Sequence, residues 1–521
     1  MKVKEILEYT EYNVICGDIN REVSIIKSDN RNLADESETI FFCIKGERFD
    51  AHSVIESIIS SSVAALVVNC ERDFYSDDEL ITISRTLNPD LVILSVKDTR
   101  YSYATAESNI IGRPQEQIKC IGVTGTKGKT TTAFMLRHIF DEKMNKSIMI
   151  GTNGTFIGQR QIESARTTPE PADLFQLIKN GTDEKMESLI MEVSSLGLKQ
   201  SRVAGITYEY SCFTNLYRDH IGPGEHKDMD EYFACKLLIF NQSRNAIINN
   251  DMDRADEAKN YVLNATKAKL YTYGLSADSI CRAENLQIAI SEKGVSGTRF
   301  DIVSPWYNGS VFLGLPGEFN VYNALCAITV AGLEGVSFEC LKRILADIEI
   351  PGRVQTVRNR LGADIRVDYA HNGASLEALL TAMRAYTSGK IIVVFGCGGG
   401  RSEERRKPMG VAAALYSDYA VVTTDNSRNE EPERIVGQIL EGFTANGIRE
   451  GEGRLEVILD RKCAIEKAVS LAQPGDMVLI VGKGHEKVQE SAGKKVPFDD
   501  VLIAEAAAEL IADKRERGKM L

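Results

Sequence analysis

The stretch that decides the fold is Gly122-Val123-Thr124-Gly125-Thr126-Lys127-Gly128-Lys129-Thr130-Thr131-Thr132. A short apolar run, Cys120 to Val123, precedes it, and an amphipathic pattern from Thr132 to Phe140 follows. A strand, a glycine-rich turn and a Lys-Thr pair opening a helix together cradle polyphosphate. Backbone N–H groups and the helix N-terminus face the anion, and the lysine adds a positive charge. Thr130 is placed to offer its hydroxyl to magnesium. The spacing departs from the usual loop in one respect: the position six residues before Lys129 is Val123, not glycine. A βα turn without a ligand would have no packing use for Lys-Thr at its helix start.

Outward from this loop, strand candidates alternate with helical patterns. Leu189–Val193, Tyr210–Thr214 and Ala246–Asn249 follow it. Beyond Pro351-Gly352 come Asp364–Asp368, Ile391–Phe395, Tyr419–Thr423 and Met477–Val481. Such alternation predicts mostly parallel sheets flanked by helices, an α/β fold. The 521 residues suit about three domains. The punctuation at Arg113-Pro114-Gln115-Glu116 and at Pro351-Gly352 divides them into 1–116, 117–350 and 351–521. A composition of 43% hydrophobic and 26% charged residues is globular. The net charge of −12 argues against nucleic acid as a partner, although local basic loops can still bind small anions. No run approaches the roughly 18 apolar residues of a membrane span, and the N-terminus lacks a signal-peptide core. Eleven cysteines without a Cys-x-x-Cys pair suit reduced thiols in a cytoplasm.

Polar residues sit just after the strands, where open α/β sheets bind ligands. Glu192 ends one strand, and a carboxylate there is placed to hold magnesium. Asn215 follows another, and Arg218-Asp219-His220 comes next. His220 is either a metal or phosphate ligand or a structural histidine. Lys236 lies in a helical pattern, and spacing alone favours a lysine snorkelling from a helix surface. Asn320 and Asn323 share a helix face, and they serve either to read a purine edge or as a cap with a polar contact.

The run Thr124–Thr131, Glu192, Phe213–His220, Lys236, the Asn320/Asn323 pair and Pro351-Gly352-Arg353 closely resemble the Mur ligases, cytoplasmic ATP-dependent amide-bond ligases of peptidoglycan assembly. Four C-terminal strings resemble the MurE type, which adds the third amino acid to UDP-N-acetylmuramoyl-L-alanyl-D-glutamate. They are Asp368-Tyr369-Ala370-His371, Phe395-Gly396-Cys397-Gly398-Gly399, Asp425-Asn426-Ser427-Arg428 and Gly482-Lys483-Gly484-His485-Glu486. The resemblance covers nearly the whole chain and thins before residue 110. It implies an N-terminal α/β domain for the UDP-sugar, a central P-loop ATPase-type domain and a C-terminal Rossmann-like domain for the amino acid.

By this resemblance Gly125, Thr126, Lys127, Gly128, Lys129, Thr130, Thr131, Asn320, Asn323 and Arg353 bind ATP. Thr130 and Glu192 hold magnesium, His220 assists at a second metal, and Lys236 becomes an N-carboxylysine that supports the metal. Asp29-Asn30-Arg31 stands near the uridine, and Thr167, Thr168, Ser194, Gln200 and Arg202 hold the rest of the UDP-sugar dipeptide. Arg401, Asp425, Asn426, Ser427, Arg428, Gly482 and Glu486 match the pocket of meso-diaminopimelate enzymes. There an arginine forks onto a carboxylate and a glutamate receives an ammonium.

The chain also departs from the family pattern. Leu196 stands where His is common, Gly400 and Ser402 replace acids beside Arg401, Ser427 replaces Pro, and Asn30 replaces Ser. Ile221–His226 lacks the usual Leu-Asp-Tyr-His-Gly. Ser427 and Gly400 are expected to loosen the backbone presenting Arg428 and Arg401. The expected activity is ATP-dependent ligation of meso-diaminopimelate to the UDP-muramoyl dipeptide by a monomeric enzyme. The alternatives are a paralogue using lysine or another acceptor, a ligase of the folylpolyglutamate or cyanophycin type, a P-loop kinase or motor ATPase, and a silent nucleotide-binding regulator.

Overall fold

The protein is described from a computed structural model. It describes all residues except 32, 34, 35, 145, 165, 223, 293, 520 and 521, and the side chains of 143, 144, 518 and 519 are likewise left aside. Pro223, within the divergent Ile221–His226 segment, therefore lies outside the described residues. The chain divides into two compact units: Met1–Cys281 with Cys326–Val336, and Arg282–Leu325 with Ser337–Leu521.

The first unit contains two sheets. Strands Tyr12–Cys16, Val92–Val96, Ala65–Asn69, Thr39–Phe42 and Ile25–Lys27 lie side by side in that order, all parallel except the first pair. In the second sheet six parallel strands run in the order Lys269–Gly274, Ser243–Asn249, Tyr208–Phe213, Lys119–Thr124, Ser188–Glu192 and Ser147–Gly151. Two antiparallel strands, Gly154–Ile157 and Arg160–Ile162, complete its edge. The loop-bearing strand Lys119–Thr124 is central. Its register sets Glu192 beside Val123 on one side and Phe213 beside Thr124 on the other. Three chemistry-bearing strand ends thus meet at one point of one sheet edge.

The helix after the loop, Lys129–Met144, is not amphipathic as the pattern suggested. From Thr130 to Phe140 only His138 is exposed. A helix lying across a parallel sheet and covered on its other side buries nearly all of its surface, so a polar Thr132 does not mark a solvent face. The expected link at Arg113–Glu116 is a short 3₁₀ turn, Pro114–Gln117.

In the second unit the strands run Gln355–Val357, Asp364–Asp368, Met477–Val481, Ile391–Phe395, Tyr419–Val422 and Leu455–Val457, parallel apart from the first. Every side chain of Ile391–Phe395 and Met477–Val481 is buried, the signature of central parallel strands covered on both faces. A hairpin, Val488–Ser491 with Lys494–Pro497, follows them. Among the described residues no helix is long and apolar enough to cross a membrane.

Candidate active site

The strand Lys119–Thr124 runs on through Val123, whose carbonyl accepts the N–H of Val193 at 2.8 Å. The turn therefore begins at Gly125, and no glycine is needed at 123. Gly125 (φ +141°) must be glycine, because a Cβ there would stand 2.0 Å from Thr214 Oγ1. Asn215 then clamps the loop: its Oδ1 accepts from Lys127 N at 2.8 Å and its Nδ2 donates to Lys127 O at 3.0 Å. Lys129 Nζ donates to Gly125 O (2.8 Å) and Thr126 O (3.1 Å), so the cation is held over the cradle.

Glu192 is fully buried. Its carboxylate accepts from Thr130 Oγ1 at 3.0 Å, Thr152 N at 2.9 Å and Thr152 Oγ1 at 3.1 Å. A Cβ at Gly151 would stand 2.2 Å from Glu192 Oε1, so that glycine makes room for the carboxylate. Gly151 and Thr152 escaped the sequence reading because the strand Ser147–Gly151 was not singled out. The hydroxyl–carboxylate pair Thr130/Glu192 is an oxygen donor set that fits a hard divalent cation such as magnesium.

Lys236 is not a snorkelling surface lysine. It is 1% exposed, donates to Gly125 O at 2.9 Å and lies 4.4 Å from the centroid of the Tyr232 ring. Burial, then the nearby charge of Lys129, pushes its amine well below the ordinary lysine value. Tyr232 also donates to Thr126 Oγ1 at 3.1 Å, and the ring of His220 stands 5.9 Å from it. The structure thus groups Lys236 and His220 about one aromatic ring beside the loop. His220 is half-exposed, and its Nδ1 lies 2.9 Å from Glu225. Lys127 pairs with Asp219 at 3.0 Å. Burial alone would raise that carboxyl, yet Lys127 and His220 hold it at about 2. Among the described residues no cluster of three His, Cys, Asp or Glu side chains forms a metal site by itself.

Elsewhere in the first unit, a cavity of about 670 Å³ brings Asp29, Asn30 and Arg31 together with Gln200, across 170 residues of sequence. Arg31 Nε donates to Asp29 at 2.9 Å, and these bonds lower the Asp29 carboxyl to about 2. Arg100, Tyr103 and Arg166 also line this cavity and were not foreseen. They lie on segments whose spacing carries no motif. Arg202 is almost buried and donates to Thr168 O at 3.1 Å and to Gln200 Oε1 at 2.5 Å. Burial, then Arg166 and Arg100, lowers its guanidinium to about 10. Thr168 Oγ1 in turn donates to Glu192 O at 3.0 Å and accepts from Ser194 N at 2.9 Å, while Thr167 Oγ1 lies 3.1 Å from Thr152 Oγ1. A hydrogen-bonded chain therefore runs from Gln200 through Arg202 and Thr168 to Glu192. Ser194 also caps the helix Ser195–Lys199.

The second unit gathers strings far apart in sequence. A Cβ at Gly352 would stand 2.1 Å from His485 N. Arg353 stacks 4.7 Å above Tyr369, whose ring has His371 and His485 at 4.8 and 5.1 Å. Asp368 accepts from Val354 N and Ala370 N, both at 2.8 Å. Asn320 and Asn323 do share a face near the start of helix Glu318–Leu333, where Asn320 Nδ2 donates to Pro316 O at 2.8 Å.

At the carboxyl ends of the strands, Asn426 is fully engaged. Its Nδ2 donates to Glu486 Oε2 at 2.7 Å, and its Oδ1 accepts from Lys483 Nζ (3.0 Å) and Glu490 N (2.9 Å). Gly482 (φ +111°) has no room for a Cβ, which would meet Asp425 Oδ2 at 2.7 Å. Burial, then Asp425, raises the Glu486 carboxyl above its ordinary value. Lys483 (fully buried) and Arg461 were overlooked. Arg461 pairs with Asp500 at 2.7 Å and donates to Val481 O at 3.0 Å. The expected looseness at Ser427 and Gly400 is absent. Ser427 Oγ bonds Ser491 Oγ at 3.0 Å, and Arg428 N donates to Glu490 O at 3.1 Å. Gly400 adopts φ +63°, which favours glycine, and its N–H is held by Glu430 at 2.6 Å. Arg428 Nη1 donates to Gly399 O.

A phosphate cradle on one parallel sheet and, in the same chain, a charged cluster at the strand ends of a second parallel sheet define a nucleotide-binding α/β protein with two separate polar centres. The Mur ligase middle domain matches residues 123–331 and the Mur ligase glutamate ligase domain matches 352–484, so the chain belongs to the Mur ligase family. It is 34% identical over 514 residues to UDP-N-acetylmuramoyl-L-alanyl-D-glutamate--2,6-diaminopimelate ligase 1 of Clostridium acetobutylicum, covering 98% of this chain and 100% of the relative. To the corresponding ligase of Geobacillus kaustophilus it is 35% identical over 509 residues, 96% of each chain. A solved structure of a UDP-N-acetylmuramoyl-L-alanyl-D-glutamate--2,6-diaminopimelate ligase superposes with a TM-score of 0.69 at 26% identity, covering 99% of both chains. A MurF from Acinetobacter baumannii shares the fold, with a TM-score of 0.55 at 19% identity over 92% of this chain and 95% of that one.

Proposed function

We propose that this chain is the ATP-dependent ligase that adds meso-diaminopimelate to UDP-N-acetylmuramoyl-L-alanyl-D-glutamate in peptidoglycan synthesis, releasing ADP and phosphate. One observation carries the reading: end-to-end likeness to diaminopimelate ligases in a chain whose strand ends present Arg428, Asp425, Asn426 and Glu486 together. On this reading residues 1–116 bind the UDP-sugar, 117–350 bind ATP and 351–521 bind the amino acid.

The glutamyl carboxylate of the acceptor attacks the γ-phosphate, giving an acyl phosphate and ADP. The amino group of diaminopimelate then attacks the acyl carbon, and phosphate leaves. Lys129 and the loop N–H groups offset the charge that gathers on the phosphates. Thr130, Glu192 and a carbamate on Lys236, with His220 assisting, would hold magnesium, which would supply further cationic charge. The buried amine of Lys236 favours its unprotonated form, the form that reacts with carbon dioxide. Arg31, Arg100 and Arg166 give the 670 Å³ cavity the cations a diphosphate needs despite the acidic chain. Asn320, Asn323 and Arg353 contact the nucleotide. Arg428 and Arg401 face the distal carboxylate, and Glu486 faces the distal ammonium. The substrates place the reaction in the cytoplasm.

The test is phosphate release by the purified protein with ATP, magnesium, UDP-N-acetylmuramoyl-L-Ala-D-Glu and a panel of amino acids. Release that depends on the acceptor and is greatest with meso-diaminopimelate supports the reading. ATP turnover independent of both co-substrates refutes it.

A further inference from the structure

The hairpin Val488–Ser491/Lys494–Pro497 supplies no substrate-contacting residue in the assignment above, yet it is fastened to the segment that presents Arg428. Glu490 N donates to Asn426 Oδ1 (2.9 Å), Arg428 N donates to Glu490 O (3.1 Å), and Ala492 N donates to Arg428 O (2.6 Å). Ser427 Oγ and Ser491 Oγ are 3.0 Å apart. The serine that replaces the family's proline thus takes part in the fastening. These bonds fix the position of one side chain: Glu490 Oε2 lies 3.8 Å from Arg428 Nε, and both side chains are about one-third exposed, 31% for Arg428 and 29% for Glu490.

We propose that Glu490 is a specificity-determining residue of the amino-acid pocket, pairing with Arg428 and thereby lowering the preference for a side chain that ends in a carboxylate. The inference rests on the ligase reading above. A distal carboxylate has to share Arg428 with an anion already beside it, and the two anions repel. Lysine has no distal carboxylate and meets no such opposition, while the distal ammonium is common to both amino acids and does not discriminate between them. The neighbouring charges do not duplicate this role. Glu430 is occupied by Gly400 N and by Arg406 at 2.8 Å, and Glu486 is bound by Asn426 and Lys483. Discrimination between two ligands is commonly set by such a repulsive element as much as by the attractive one.

The fastening bonds use the backbone of Glu490, so Glu490→Gln keeps the hairpin in place and removes only the charge. Specificity constants for meso-diaminopimelate and lysine, with the KM for ATP, are measured for wild type, Glu490→Gln, Arg428→Ala and the double variant. A partly exposed pair predicts that Glu490→Gln raises the diaminopimelate-to-lysine ratio about two- to fivefold, through KM, with ATP unaffected. The gain should shrink with added salt and vanish in the Arg428→Ala background. An unchanged or lowered ratio, or a gain that survives Arg428→Ala, overturns the role of Glu490. If wild type ligates neither amino acid, the ligase reading falls and takes this inference with it.

Discussion

Replacing Lys236 by methionine should abolish ligation and leave the fold at least as stable as before. In buffer freed of carbon dioxide Lys236 is an amine, 1% exposed, and burial is the largest cause of its lowered pKa, with Lys129 second. An unfolded lysine titrates near 10.4, so between the lowered folded value and that one the unfolded chain binds more protons here than the folded one, and folding carries a penalty. The penalty amounts to about 1.4 kcal/mol for each pH unit by which the folded amine is lowered. It is fully present below the folded value and disappears above the unfolded value. Against it stands one hydrogen bond to Gly125 O, with a net worth of about 1 kcal/mol. That carbonyl keeps a second donor, Lys129 Nζ at 2.8 Å, so the variant leaves no orphaned acceptor. Methionine fills a similar volume and packs well against Tyr232. The direction of this balance favours the variant, because burial of the amine is what methionine removes, while the lost bond is single and its acceptor stays satisfied. Urea unfolding of both proteins across pH 6–10, paired with phosphate release, tests this. The stability advantage of Lys236→Met should narrow as pH rises. A variant less stable than wild type by 2 kcal/mol or more, or one that ligates normally, would refute the reasoning.

Lys129→Ala should bind ATP weakly and fail to ligate while remaining folded, because Asn215 and Gly125 hold the loop without it; ATP titration calorimetry and phosphate release check this. Arg428→Ala should raise the KM for diaminopimelate by roughly 30- to 150-fold, about 2–3 kcal/mol, with little change in the KM for ATP. Asp500→Ala strands the buried guanidinium of Arg461 and should cost about 3–5 kcal/mol in the unfolding of the second unit, read from its thermal transition.

The loop at 124–131, the parallel strands and the polar residues at their carboxyl ends were legible in the sequence, because each follows from a local rule. A βα phosphate cradle needs glycine where φ is positive and Lys-Thr where the helix starts. A buried parallel strand needs an unbroken apolar run. Helical spacing likewise put Asn320 and Asn323 on one face. Spacing could say which residues share a face but not what covers it. Hence the helix Lys129–Met144 passed for amphipathic, and spacing alone made Lys236 a surface lysine; the family resemblance spoke against that, and the fold sets Gly125 and Tyr232 against its amine. The same limit hid Arg461, whose partner Asp500 is 39 residues away, and Arg100, which reaches the cavity of Asp29 only through the fold. Ser427 and Gly400 show the limit from the other side. Taken singly they free the backbone, and in the fold a hairpin and Glu430 hold it. Backbone freedom is a property of a residue, but restraint comes from its partners. The sequence therefore determined which chemistry is present, and the tertiary structure decided which of those groups are buried, paired or opposed.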